Sequence, residues 1–173
     1  MTRSGGLRPL SLFILLLAGL GSTMWSDARA DGHSPELVAV YFRADWCSNC
    51  RILDPVYQEA QSVIADTGPR VEMFSLDSTA SAEAFDAAMF AMLDRRMADI
   101  YNGYVGVTGI VFIAAADSGE LLDCITRRDS VSTMVARFER ASEQISQTEP
   151  GQRASPIGMA CPPMIRALPP RPG

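Results

Sequence analysis

The sequence predicts an α/β domain, with a mixed central sheet and helices on both of its faces. Three observations predict it. Short apolar runs alternate with stretches of helical apolar period, the pattern of strands joined by crossover helices. The motif Trp46-Cys47-Ser48-Asn49-Cys50 stands where the first apolar run gives way to the first helical stretch. The last two apolar runs flank Asp117-Ser-Gly-Glu120, a turn short enough to join only antiparallel strands.

The elements follow in order. Leu37 to Phe42 is near-continuously apolar, as in a strand buried on both sides. Ser48 to about Ala65 carries Ile52, Leu53, Val56, Ala60, Val63 and Ile64 on one helical face. Pro55 inside it should kink the helix or remove one hydrogen bond. Val71 to Asp77 reads as a second strand. Ser81 to Tyr101 reads as one helix, rich in Ala, Met, Leu and Glu, with Asn102-Gly103 as its stop. Its Met89, Met92 and Met97 have the spacing of a core stripe; a soft-metal box would need converging sulfurs. Val105 to Ala114 and Leu121 to Thr126 form the hairpin. A last helix, capped by Asp129 or Ser130, runs to about Gln147 with Val131, Met134, Val135, Phe138, Ala141 and Ile145 on one face.

Both ends of the chain read differently. Residues 1–30 have the layout of a secretory signal: Arg3 and Arg8, an apolar stretch from Leu10 to Leu20, and Ala28-Arg29-Ala30 as a cleavage pattern. Ser22, Thr23 and Ser26 break the apolar run short of the ~20 residues that span a bilayer, which favours cleavage over an uncleaved anchor. The expected domain is 31–147. Residues 148–173 hold seven prolines and no periodic apolar face, so a mobile tail is expected there.

Loss of Arg3, Arg8, Arg29 and Asp27 leaves 12 arginines against 19 acidic residues, a charge of −7. Without a basic cluster, nucleic acid and anionic membranes are excluded as partners. The chain has no lysine, so no lysine chemistry is available, and its one histidine is His33. A signal peptide implies an oxidising destination, the periplasm, where disulfides persist.

Two cysteines with two residues between them can close a disulfide across the first turn of a helix. That end of a helix stabilises thiolate, through unpaired N–H groups and a partial positive charge. A thiolate there attacks other disulfides. A static structural disulfide and a zinc site are the alternatives; zinc lacks a second C-x-x-C or a histidine pair. Cys124 and Cys161 are left as a second bridge or as two thiols, Cys124 an inert strand residue and Cys161 a regulatory thiol.

The element order, with Tyr41-Phe-Arg-Ala-Asp-Trp-Cys-Ser-Asn-Cys-Arg51 after the first core strand and Pro55 five residues beyond Cys50, resembles the thioredoxin superfamily. It is most like thioredoxin-like domains of bacterial envelope proteins, the DsbD C-terminal domain among them, over about residues 35–147. The resemblance implies a thioredoxin-like fold and a thiol–disulfide oxidoreductase of protein thiols and disulfides, working with a redox partner protein. It implies Cys47 as the exposed attacking thiol and Cys50 as the buried resolving one. Trp46 and Thr108 would shape the docking surface. No cofactor is expected, and a monomer is.

Three positions depart from the family pattern. Tyr41 stands where thioredoxins carry a buried Asp six residues before the first Cys, and Met73 replaces the accompanying Lys. A water, Asp45 or the substrate would then take the proton of the resolving thiol. Thr108, or Gly109 with a one-residue shift, occupies the cis-proline position; a non-proline cis bond costs ~3 kcal/mol, so a trans peptide is expected. Ser48-Asn49 replaces Gly-Pro between the cysteines. The family's proline also keeps metals off the thiols, so its loss supports an alternative function: a metal-binding or partner-docking module with little exchange activity.

Overall fold

The computed structural model describes residues 34–153 and 161–164. The expected signal and its cleavage site lie outside the described residues. No helix among the described residues is long and apolar enough to cross a membrane.

The chain forms β1 (Leu37–Arg43), α1 (Ser48–Thr67), β2 (Val71–Asp77), α2 (Ala82–Asp94), α3 (Ala98–Tyr104), β3 (Ile110–Ala115), β4 (Leu121–Thr126) and α4 (Val131–Gln147). The sheet order is β2-β1-β3-β4, with β1 parallel to β2, and β3 antiparallel to both β1 and β4. This is a thioredoxin-like α/β fold with a mixed sheet.

Strand β1 explains the two-faced architecture. Successive strand residues point to opposite faces. Leu37, Ala39 and Tyr41 join one core with Leu53, Tyr57, Ala60 and Ile64 of α1 and Met134, Phe138 and Ala141 of α4. Val38, Val40 and Phe42 join the other with Met92 of α2, Ile100 and Tyr104 of α3, and Met97 between those helices. Both faces are covered, which is why the run from Leu37 to Phe42 is apolar throughout.

Three elements differ from the sequence reading. The helix expected over 81–101 is two helices, broken at Arg95-Arg96. Arg96 adopts a left-handed conformation, φ 59°. Its N–H bonds to the Leu93 carbonyl and the Met97 N–H to that of Met92, each at 2.9 Å. That pair of bonds is a Schellman motif, with arginine where glycine is usual. The bend keeps both Met92 and Met97 fully buried. Arg95 then turns to Glu72 on β2 and to the Ala91 carbonyl. The expected stop, Asn102-Gly103, lies inside α3; a Cβ on Gly103 would stand 3.1 Å from Met164. β3 begins at Ile110, not Val105, because Gly106 and Gly109, both at φ 80°, break the extended backbone before it.

The tail expected to be mobile is tied to the domain at two described points. Arg153 is buried against the β3–β4 turn: its Nη2 donates to Asp117 at 2.8 Å and its Nε to the Thr148 carbonyl at 3.0 Å. Cys161 forms a disulfide with Cys124, and the Tyr104 hydroxyl donates to the Pro162 carbonyl at 3.0 Å.

Candidate redox site

The end of β1 and the start of α1 build the site. The Cys47 N–H donates back to the Ala44 carbonyl at 3.1 Å, and the Asp45 N–H donates to the Thr79 hydroxyl at 3.0 Å. This turn sets Cys47 at the N-cap of α1. Its backbone is extended (φ −75°, ψ 110°), and its Sγ accepts the Cys50 N–H at 3.1 Å. Cap positions usually hold a side-chain oxygen. A sulfur there receives an unpaired helix N–H and the positive end of the helix dipole, both of which favour thiolate. Cys47 and Cys50 are disulfide-bonded across that turn, with Cα atoms 5.3 Å apart.

Cys47 is less exposed than the resemblance implied. It is 4 % exposed and Cys50 2 %. Gly109, at the end of the loop before β3, packs against Cys47. An ideal Cβ on Gly109 would lie 3.3 Å from Cys47 Sγ and 2.7 Å from Asn49 Cβ. The Gly109 N–H donates to the Phe42 carbonyl at 2.7 Å, which holds the loop down. The described chain has no cis peptide bond.

Trp46 stands 65 % exposed beside the disulfide. Trp46 and Thr108 line one groove of about 270 Å³ with Phe42, Leu76, Phe85 and Tyr101. Thr108 also borders a second groove of about 470 Å³, with Asn49, Gly109, Arg127, Arg128 and Pro162. A wider groove of about 800 Å³ lies at the other end of α1, along Ile64, Gly68 and Met73, and holds no cysteine. Cys124–Cys161 is separate from the site, in the core layer under α2 and α3. No cluster of three His, Cys, Asp or Glu side chains able to hold a metal converges among the described residues.

Beneath the disulfide, Tyr41 is 4 % exposed. Its hydroxyl donates to Asp54 Oδ1 at 2.8 Å and lies 3.4 Å from the Cys50 carbonyl oxygen. Burial, and then the bond to the Asp54 carboxylate, push the phenol well above its ordinary range. Met73 accepts an N–H from Gln61 at 3.3 Å. Asp45, weighed above as a proton acceptor, is 78 % exposed in its side chain. Asp54 was not singled out from the sequence. Its one signal was its place four residues after Cys50, on the same helix face.

Comparison with known proteins bears on the family. The family model for thioredoxin matches residues 24–92, which span the two cysteines. No curated protein matches the chain. Among solved structures, the first thioredoxin domain of mouse protein disulfide-isomerase A4 is 21 % identical, with 70 % of this chain and 74 % of that one covered and a TM-score of 0.44. Trxlp from Edwardsiella tarda EIB202 is 18 % identical over 62 % of this chain and 86 % of that one, TM-score 0.39. Oxidised thioredoxin O2 from Arabidopsis thaliana is 19 % identical over 64 % and 75 %, TM-score 0.36.

Proposed function

We propose that this chain is a thioredoxin-superfamily protein that exchanges disulfides with protein substrates through Cys47 and Cys50. The carrying observation is Cys47 Sγ at the α1 N-cap, accepting the Cys50 amide and bonded to Cys50 across the first turn. In the reduced protein the Cys47 thiolate attacks a substrate disulfide. One substrate sulfur leaves as a thiol, and the other is joined to Cys47. Cys50 then attacks Cys47 Sγ, closes the Cys47–Cys50 bond and releases the second substrate thiol. Two electrons pass to the substrate; the reverse sequence oxidises a dithiol. The pair's reduction potential against its partner sets the direction, with a tenfold change in equilibrium per 29.6 mV.

Trp46 and Thr108, which both line the groove beside the disulfide, support a docking role for that groove. The Arg3, Arg8, Leu10–Leu20 and Ala28-Arg29-Ala30 pattern supports export to the periplasm. A second disulfide, Cys124–Cys161, suits such an oxidising compartment. The test is insulin reduction with dithiothreitol, comparing the protein with Cys47→Ser. Turnover lost in Cys47→Ser supports the proposal, and equal turnover in both sinks it.

A further inference from the structure

The resolving step needs a place for one proton. Cys50 is 2 % exposed, and an unperturbed thiol, with a pKa of about 8.5, is mostly protonated at neutral pH. Burial in apolar surroundings raises a thiol further. Strand β1 offers no carboxylate under this cysteine, because its inward residues there are Ala39 and Tyr41. The nearest acid in the chain of contacts is on the helix itself.

Asp54 follows Cys50 by four residues in α1, so the two side chains project from one face, with Cβ atoms about 5–6 Å apart. Asp54 is partly buried, its side chain 31 % exposed. Left alone, a carboxylate on this face would turn toward water. Two groups of β1 prevent that. The Tyr41 hydroxyl donates to Oδ1 at 2.8 Å, and Arg43 Nη2 stands 3.9 Å from Oδ2. The same hydroxyl is 3.4 Å from the Cys50 carbonyl oxygen, so the carboxylate is tied to the Cys50 peptide through one oxygen atom. Tyr41 is fixed in turn by the edge of the Tyr57 ring, with centroids 5.7 Å apart. A phenol whose ionisation is suppressed stays a donor, which is what holding an anion requires.

We propose that Asp54, positioned by Tyr41, accepts the proton of the Cys50 thiol during the resolving step. This rests on the exchange reading of Cys47 and Cys50. The proton leaves Cys50 Sγ and ends on the Asp54 carboxylate. The Cys50 thiolate forms its bond to Cys47 Sγ as the bond from Cys47 to the substrate sulfur breaks, and the substrate thiolate carries away the electron pair. Asp54 returns its proton to solvent across its exposed side. In the reverse direction Asp54 supplies the proton as the Cys47–Cys50 bond opens. Among the described residues, the charged and titratable groups set around Asp54 are Tyr41 and Arg43 of β1, Tyr57 of α1, Asp45 of the intervening turn, and Asp77 of β2. The last two reach it through Arg43, at 4.0 and 3.4 Å.

Stopped-flow reaction of the protein, its Cys47–Cys50 bond reduced by one equivalent of dithiothreitol, with 5,5′-dithiobis(2-nitrobenzoate) separates the steps. The first nitrothiobenzoate leaves on attack by Cys47, the second on attack by Cys50. Asp54→Asn should leave the first phase unchanged and slow the second at pH 7 by about tenfold or more, within the range of general-base effects. The slowing should shrink as pH rises, because hydroxide from solvent then takes the thiol proton in place of the carboxylate. Tyr41→Phe, which keeps the buried ring, should show a smaller slowing with the same pH shape. A second phase in Asp54→Asn as fast as in the parent protein, or slowed equally at every pH, overturns the proposal. A parent protein with a first phase and no second overturns the exchange reading itself, and this proposal with it.

Discussion

Gly109 is the point where the loop before β3 touches the reactive sulfur, and replacing it by alanine tests that contact. Two costs add. At φ 80° an L-residue in left-handed backbone costs about 1–2 kcal/mol. The new methyl would lie 2.7 Å from Asn49 Cβ, well inside the ~3.5–4.0 Å of a favourable carbon contact. Relieving that overlap requires the loop or the first turn of α1 to move, and overpacking of this kind costs about 1–3 kcal/mol. Gly109→Ala should therefore lose about 2–5 kcal/mol in all. Gly106 provides the internal control: it has the same φ of 80°, with nothing within 4 Å of its would-be Cβ. Gly106→Ala should lose only the backbone share, about 1–2 kcal/mol. Urea unfolding of the three proteins, with the slope checked for constancy, reads both values. Equal losses in the two variants, or a Gly109→Ala protein within about 0.5 kcal/mol of the parent, the scatter of ordinary surface changes, would refute the close approach.

Other outcomes follow from the second disulfide and the tail. Cys161→Ser opens a link between residues 37 apart and should cost about 4 kcal/mol by the chain-entropy relation, read as a fall in the urea midpoint. The Asp117 carboxyl is held below its usual range, first by its bond to Arg153 and against the effect of burial. A depressed folded value means this contribution is complete above the unfolded value of about 4 and is lost as pH falls through the folded one. Unfolding midpoints of the parent and Arg153→Gln should thus differ at pH 7 and converge toward pH 2.

Much of this fold was legible because burial leaves a periodic trace. The unbroken apolar run of β1 records a strand covered on two sides, and the face of Leu53, Ala60 and Ile64 records the one side of α1 that packs, while Ile52 and Val63, read as part of that face, stand exposed. The break at Arg95-Arg96 left no such trace. Its left-handed residue is arginine, and the Asn102-Gly103 pair that looked like a helix stop makes room for Met164 instead. Of the two ties on the tail, the Cys124–Cys161 bridge was one of the two readings open for the remaining cysteines, whereas Arg153 was hidden: it is a single residue in a proline-rich stretch, and its partner lies 36 residues away. At the site, the two cysteines were readable from their spacing, and Trp46 from the family resemblance. The Tyr41–Asp54 pair was not, because Tyr41 looked like the loss of an acid from β1. The acid is supplied by the neighbouring helix, 13 residues on.

The central claim is that Cys47 is the attacking sulfur and Cys50 the resolving one. Cys50→Ser protein, presented with a disulfide-bonded protein substrate and examined by peptide mass spectrometry under non-reducing conditions, tests it most directly. A covalent adduct carried on Cys47, and absent from Cys47→Ser, is the predicted result. No adduct, or one carried on Cys124 or Cys161, would contradict it.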